Sequence, residues 1–160
     1  MTIQPGDKLP EVKFSSPAED GLKPLTTSEV FAGKRAVLFA VPGAFTPTCS
    51  ARHLPGFRDQ AKAFQFKNID VVACTSVNDG FVMKAWAKNQ GIADEVLMLG
   101  DGNGEFAEKV GLVLDAEGFG MGKRSQRYAM IVNDGVVEKL FVEAPGEFKV
   151  SSADYVLEQL

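Results

Sequence analysis

The chain is poor in the residues that most often bind metals or form disulfide frameworks. Its 160 residues contain two cysteines, Cys49 and Cys74, and a single histidine, His53. A structural zinc site needs several Cys or His ligands at short spacing, so we expect neither a metal nor another cofactor. Two cysteines do not make a disulfide framework, and a lasting structural bridge is not expected in a reducing cytosol.

Long apolar runs and clusters of one charge are also missing. No apolar stretch approaches the ~20 residues that span a bilayer, and the N-terminal MTIQPGDKLP lacks the basic and apolar regions of a signal peptide. The net charge is −4, and Lys and Arg are dispersed. Such a surface offers no electrostatic patch to nucleic acid or to an anionic membrane. We therefore expect a cytoplasmic protein that binds neither.

The composition and the hydrophobic pattern indicate one α/β domain over residues 1–160. Apolar residues make up 45% and charged residues 24% of the chain, as in ordinary globular proteins. Short apolar runs predict buried strands, periodic segments predict helices, and Asn133-Asp134-Gly135 predicts a hairpin turn. The predicted strands are 35–41, 69–77, 95–101, 127–132 and 136–143. The predicted helices are 48–66, 78–91, 104–111 and 151–160, and Pro55-Gly56 is expected to bend or interrupt the first of them.

This order of elements predicts a mixed central β-sheet with helices on both faces, an α/β sandwich. Right-handed crossovers make the strands 35–41 and 69–77 parallel neighbours. In such folds the ligand site lies beyond the carboxyl ends of the strands. Cys49 occupies that position, because it follows the first buried strand and begins a helix.

Cys49 lies in the stretch VPGAFTPTCSARHLPGF, residues 41–57. The positive end of a helix favours a thiolate, which is the nucleophilic form of cysteine. The segment 46–49 has the spacing of a C-x-x-C motif with threonine in place of the first cysteine, which excludes a dithiol carrier. A free cysteine is, however, often a small buried hydrophobic residue. The residues alone leave a reactive and an inert Cys49 equally supported.

The segment PGAFTPTCS resembles the P-x-x-x-T-x-x-C active-site signature of the peroxiredoxins, which are thiol-dependent peroxidases with a thioredoxin-like fold. The blocks HLPGF, SVND followed by FVMKAWA, and RSQRYAMIV are similar to the type-II subfamily, and the similarity runs from Pro5 to Leu160. The resemblance implies a thioredoxin-like sandwich and a homodimer. It also implies that Cys49 reduces hydrogen peroxide and alkyl hydroperoxides and becomes a sulfenic acid.

The resemblance also implies roles for the neighbours of this thiol. Arg127 is the expected cation beside Cys49 and the donor to the breaking O–O bond. Thr46 is expected to donate its hydroxyl to the peroxide, and the N–H groups of Thr48 and Cys49 to bind a peroxide oxygen. Pro42 is expected to shield the pocket without competing for hydrogen bonds.

Other polar and aromatic residues near the motif are expected to be structural. Arg124, in the glycine-rich loop, is expected to be solvated or to bind a phosphate-like group. His53 lies one helical turn after Cys49 and invites a Cys–His pair, as in a thiol hydrolase, but a structural hydrogen bond is favoured. Large aromatic side chains are expected in the core or the pocket wall, namely Phe45, Trp86 and Phe119.

The apolar neighbours of Cys74 predict that this second thiol is buried and inert. Type-II members from plants, which this chain resembles, carry a second thiol at this spacing, so Cys74 could instead resolve Cys49 in a disulfide recycled by thioredoxin. Other members carry a resolving cysteine near the C-terminus, where this chain has Ser151 and Ser152. We therefore expect reduction by glutathione, with or without glutaredoxin. A slow redox sensor that uses Cys49 is a further alternative.

Overall fold

The computed structural model describes residues 1–160 and contains nine β-strands and six α-helices. The strands are β1 (Lys13–Ala18), β2 (Gly21–Thr26), β3 (Arg35–Ala40), β4 (Val71–Ser76), β5 (Leu97–Gly100), β6 (Val113–Ala116), β7 (Gly122–Ser125), β8 (Tyr128–Asn133) and β9 (Val136–Val142). The helices are α1 (Thr27–Phe31), α2 (Leu54–Asp59), α3 (Ala61–Phe66), α4 (Gly80–Asn89), α5 (Glu105–Val110) and α6 (Ala153–Glu158).

Seven strands form the central sheet, in the order β2-β1-β5-β4-β3-β8-β9. β4 pairs in parallel with both β3 and β5, whereas β8 is antiparallel to β3. The predicted buried strands and the parallel pairing of the first two are therefore confirmed, although β3, β4 and β5 each end one residue earlier than expected and β4 and β5 begin two residues later. The mixed sheet is confirmed as well.

Helices cover both faces of this sheet, because the side chains of a strand point alternately to either side. Val37 and Phe39 of β3 belong to a buried cluster with residues of α2, α3, α4 and α6. Leu38, on the opposite face, belongs to a second cluster with residues of α1 and α5. Each face thus has its own apolar core, as the predicted sandwich requires.

The turn between β8 and β9 has the conformation that its sequence predicts. Asp134 and Gly135 have φ angles of 50° and 77°, and two central residues with positive φ define the type I′ hairpin turn. The Asp134 side chain also accepts a 2.6 Å hydrogen bond from the Gly33 N–H. The hairpin prediction is confirmed.

The helix that carries Cys49 differs from its prediction. Residues 47–48 are α-helical and lead directly into a π-helical turn, Cys49–His53, which α2 continues. The helix continues through Pro55-Gly56, where a bend or an interruption was expected, and its break falls at Gln60, before α3, so an interruption at Pro55-Gly56 is wrong. The Leu54 N–H bonds to the Cys49 carbonyl. This wider turn shifts the hydrogen-bond register just before Pro55, which has no N–H to lose.

Two hairpins, β1–β2 and β6–β7, were not predicted from the sequence. Pro24 lies in β2, which is an edge strand, where a missing N–H is tolerated. β6 and β7 are short and form a separate two-stranded sheet beside a glycine-rich turn. No helix in the structure is long and apolar enough to cross a membrane.

Candidate active site

Cys49 lies in the first turn of a helix that begins where β3 and its following loop end. The first intrahelical hydrogen bond runs from the Ser50 N–H to the Thr46 carbonyl, at 2.9 Å. The N–H groups of Thr48 and Cys49 precede it and donate to no protein acceptor, as is usual for a helix start. These two donors therefore remain free to bind a ligand atom beside the sulfur.

Hydrogen bonds to the loop after β4 and to α4 hold this segment in place. The Ala44 N–H donates to Asn78 Oδ1 at 3.0 Å, and the Trp86 indole N–H donates to Ser50 Oγ at 3.0 Å. Asn78 does not cap α4, because the cap is Asp79, whose carboxylate accepts from the Val82 N–H. The tethering role of Asn78 was missed, although its place at the carboxyl end of β4 was a usable signal.

Arg127 contacts the sulfur of Cys49 directly. One guanidinium nitrogen donates to Cys49 Sγ at 3.0 Å, and the other donates to His53 Nδ1 at 2.8 Å. Cys49 is fully buried, and Arg127 takes part in none of the ion pairs of the structure. The positive charge of Arg127 is therefore not neutralised by a carboxylate. It lies where it can attract negative charge on the sulfur.

His53 makes the structural hydrogen bonds that were predicted for it. The Ser151 carbonyl can only accept, so His53 Nε2 carries the proton and donates to it at 2.9 Å. The Nδ1 lone pair then accepts from Arg127. Burial, and next the charge of Arg127, lower the pKa of His53 to about 3. Because this ring is neutral and its lone pair is occupied, it does not act as the base of a Cys–His pair.

The remaining residues predicted for the site precede Cys49 in the chain. Pro42 and Thr46 lie in the loop before Cys49, Thr48 lies in the helical turn that leads into it, and all three are partly buried. The Thr46 hydroxyl donates to the Gly43 carbonyl at 2.7 Å. It would have to exchange this hydrogen bond before it could donate to a bound peroxide.

Arg124 is not the solvated or phosphate-binding residue that was expected, because its side chain spans two backbone carbonyls. It donates to Met121 at 2.9 Å and to Val77 at 3.2 Å. The guanidinium therefore fastens the β6–β7 hairpin against the end of β4. Such a contact between distant segments leaves no mark in the sequence.

The second thiol is buried, as predicted. Cys74 is a residue of β4 and pairs with Phe39 of the neighbouring β3. It is fully buried and forms no disulfide. Burial, and then the neighbouring Cys49, raise the pKa of the Cys74 thiol well above its ordinary value. A thiol in this state is a weak nucleophile.

The predictions for the aromatic residues are correct only in part. Trp86 is fully buried, as expected. Phe45 and Phe119, which were expected in the core or pocket wall, are 51% and 84% exposed. Phe45 also has a φ of 65°, an uncommon backbone conformation for a bulky residue. The loop geometry turns both rings outward, and their sequence positions do not show this.

Comparisons with known proteins agree with this geometry. The family model described as Redoxin matches residues 4–157. Peroxiredoxin-2E, chloroplastic, from Arabidopsis thaliana is 51% identical over 163 residues, which cover 99% of this chain and 70% of that protein. Peroxiredoxin-2B from the same plant is 45% identical, over 99% of this chain and 98% of that protein.

The solved structures show the same fold. Reduced Prx3 from Vibrio vulnificus, in complex with hydrogen peroxide, is 50% identical over 99% of both chains, with a TM-score of 0.94. The predicted thioredoxin-like fold is thereby confirmed. From these matches, the chain belongs to the type-II subfamily of the peroxiredoxin family and is a thiol-dependent peroxidase.

Proposed function

We propose that Cys49 is the peroxidatic cysteine of this enzyme and acts on hydrogen peroxide and alkyl hydroperoxides. The Cys49 thiolate attacks the terminal oxygen of the hydroperoxide, so that an S–O bond forms as the O–O bond breaks. The sulfur is oxidised to a sulfenic acid, and the peroxide is reduced. The leaving oxygen takes a proton from solvent and departs as water or an alcohol.

The observation that carries this proposal is the 3.0 Å hydrogen bond from Arg127 to the buried Cys49 sulfur. A guanidinium at this distance stabilises the thiolate, and it can follow the negative charge as that charge moves to the leaving oxygen. The free N–H groups of Thr48 and Cys49 supply further donors at the same place. Thr46 and Pro42 complete the pocket wall.

Stopped-flow measurement of peroxide reduction tests this assignment. Trp86 is the only tryptophan, and its indole bonds to Ser50 beside Cys49, so its fluorescence can follow oxidation of the sulfur. Cys49→Ser should abolish peroxide reduction, and the matched control Cys74→Ser should react as fast as the parent protein. Full activity of Cys49→Ser would refute the assignment. A slow reaction of the parent protein would instead favour a redox sensor.

We further propose that the sulfenic acid is reduced by glutathione, with or without glutaredoxin. The weak nucleophilicity of the buried Cys74 supports an external thiol. So does the pair Ser151 and Ser152, which stands where other type-II members carry a resolving cysteine. The alternative is a Cys49–Cys74 disulfide that thioredoxin reduces.

Intact mass spectrometry after one equivalent of peroxide separates these two routes. A glutathione adduct on Cys49, with turnover that survives Cys74→Ser, is the expected result. A loss of two hydrogens without an adduct would instead indicate a bridge between the two cysteines. Without any reductant, excess peroxide should drive Cys49 to the sulfinic acid.

A homodimer and a cytoplasmic location also belong to this proposal. Three large aromatic side chains are exposed and would suit an interface, namely Phe45 of the active-site loop, Phe81 and Phe119. Light scattering on the parent protein and on a Phe119→Ser variant tests the dimer. The location stays a prediction from composition, whereas the relative Peroxiredoxin-2E is named as chloroplastic.

A further inference from the structure

Glu143 is a buried carboxylate that the reaction described above does not use. It follows β9 and is 8% exposed. Its side chain accepts hydrogen bonds of 2.6–2.9 Å from the N–H groups of Lys149, Val150 and Ser151 and from the Ser151 hydroxyl. Burial raises its pKa, but these donors outweigh burial and lower the pKa below its ordinary value. The carboxylate therefore stays charged and fastens the loop.

This clamp connects to the active site at two points. The Glu143 N–H donates to the Arg127 carbonyl at 3.0 Å. This hydrogen bond joins the start of the loop to the residue that directly precedes β8. The clamped Ser151 presents its carbonyl to His53 Nε2 at 2.9 Å. A continuous series of hydrogen bonds thus runs from Glu143 through Ser151, His53 and Arg127 to the Cys49 sulfur.

We propose that Glu143 and His53 are positioning residues for the peroxidase reaction. Glu143 fixes the Ser151 carbonyl, and this carbonyl fixes the tautomer and orientation of His53. The Nδ1 atom of His53 then holds one arm of the Arg127 guanidinium, so that the other arm lies on Cys49. The inference rests on the proposed function, because it assigns how the cation of that site is held.

The chemistry explains why a neutral ring, and not a carboxylate, contacts Arg127. A carboxylate bonded directly to the guanidinium would orient it but would also offset the positive charge that the thiolate needs. The imidazole of His53 accepts the hydrogen bond without adding negative charge, because burial and Arg127 keep it neutral. The negatively charged carboxylate of Glu143 instead accepts hydrogen bonds from backbone N–H groups of the loop.

Phe148 of the same loop supports this arrangement. Its ring packs edge-on against His53 at 4.9 Å between centroids, and the Arg127 guanidinium carbon lies 5.8 Å from the ring centre. Arg52 stacks on the same ring at 4.8 Å. The loop that Glu143 clamps therefore covers both His53 and Arg127, and its release would loosen both.

Two substitutions of His53 separate its two hydrogen bonds. In His53→Gln the amide nitrogen can reach the place of Nε2 and donate to Ser151, but no acceptor remains for Arg127. In His53→Asn the amide oxygen can take the place of Nδ1 and accept from Arg127. We expect His53→Gln to lower the second-order rate with hydrogen peroxide about tenfold, and His53→Asn to retain more of it.

Substitutions of Glu143 test the remote end of the series. Glu143→Ala should lower the peroxide rate about as much as His53→Gln, and Glu143→Gln should lie between it and the parent protein, because an amide oxygen keeps part of the clamp. The control is Ser152→Ala, which removes the cap of α6 and so destabilises the next element without touching the clamp. It should keep the parent rate.

The pH profile of Cys49 alkylation by iodoacetamide distinguishes a positioning role from a merely structural one, because a loss of stability alone would not shift this profile. We expect this profile to shift to higher pH in His53→Gln and Glu143→Ala and to stay unchanged in Ser152→Ala. Cys74 is buried, and the pKa of His53 is about 3, so neither changes charge near neutral pH. A parent-like profile in both variants overturns the inference, even if their stability or rate falls.

Alkylation also keeps the two proposals apart. It reports on the thiolate without any peroxide chemistry, so a parent protein that fails to reduce peroxide refutes the proposed function and leaves this test intact. If Glu143→Ala does not fold, Glu143→Gln and His53→Gln decide the outcome by the same profile.

Discussion

Replacement of Arg127 by methionine removes the cation from the sulfur and keeps a side chain of similar length. In the parent structure the guanidinium donates one hydrogen bond to Cys49 Sγ and one to His53 Nδ1. The first of these follows the charge that develops during O–O cleavage. Loss of a single donor of this kind costs about 2.7 kcal/mol, so we expect the peroxide rate to fall roughly 100-fold.

The second hydrogen bond predicts an independent effect on stability. Arg127→Met leaves the buried Nδ1 of His53 without a donor, which should lower the free energy of unfolding by about 1–3 kcal/mol. Arg127→Lys keeps the charge, but a single ammonium lacks the planar fork that serves both atoms. We therefore expect its peroxide rate to lie between those of the parent protein and Arg127→Met.

Stopped-flow fluorescence of Trp86 measures the rate, and urea unfolding measures the stability. The control is Arg35→Met, which removes a partly exposed arginine paired with Glu138 at 3.4 Å at the start of β3, the end of this strand away from Cys49. It should keep the parent rate. A parent-like rate in Arg127→Met, with folded protein, would show that the guanidinium does not act on the reacting sulfur.

Two further predictions concern stability. His53 is the only histidine, and its pKa is about 3 in the folded protein against an ordinary 6.5. Between these pH values the unfolded chain binds a proton at His53 that the folded protein does not bind. The contribution of His53 to the free energy of unfolding is therefore complete above about pH 6.5 and falls by about 1.4 kcal/mol per pH unit as the pH drops toward 3. Urea titrations of the parent protein and His53→Leu should differ by this slope, and equal slopes would contradict it. Gly100→Ala should lower the melting temperature of the protein strongly, because the added Cβ would lie 2.9 Å from the Ser15 carbonyl oxygen. The control Gly118→Ala, whose added Cβ would meet no atom within 4 Å, should leave the melting temperature nearly unchanged.

Much of the fold was predictable because it depends on local patterns. Continuous apolar runs identified β3, β4 and β5, since strands covered on both faces need no polar side chains. The type I′ turn at Asp134-Gly135 was predictable because few residues tolerate two consecutive positive φ angles. The β1–β2 hairpin was missed, because Pro24 suits a strand only at the edge of a sheet, and the edge exists only in the assembled sheet.

The sequence by itself determined that Cys49 begins a helix at the carboxyl end of a buried strand, since the apolar run, the motif spacing and the helix start are local. Only the tertiary structure decided which cation faces the sulfur. Arg127 is 78 residues away, and antiparallel pairing of β8 with β3 brings the two strands side by side. The same holds for the clamp of Glu143 and the tautomer of His53, because hydrogen bonds between distant segments depend on packing and not on spacing along the chain.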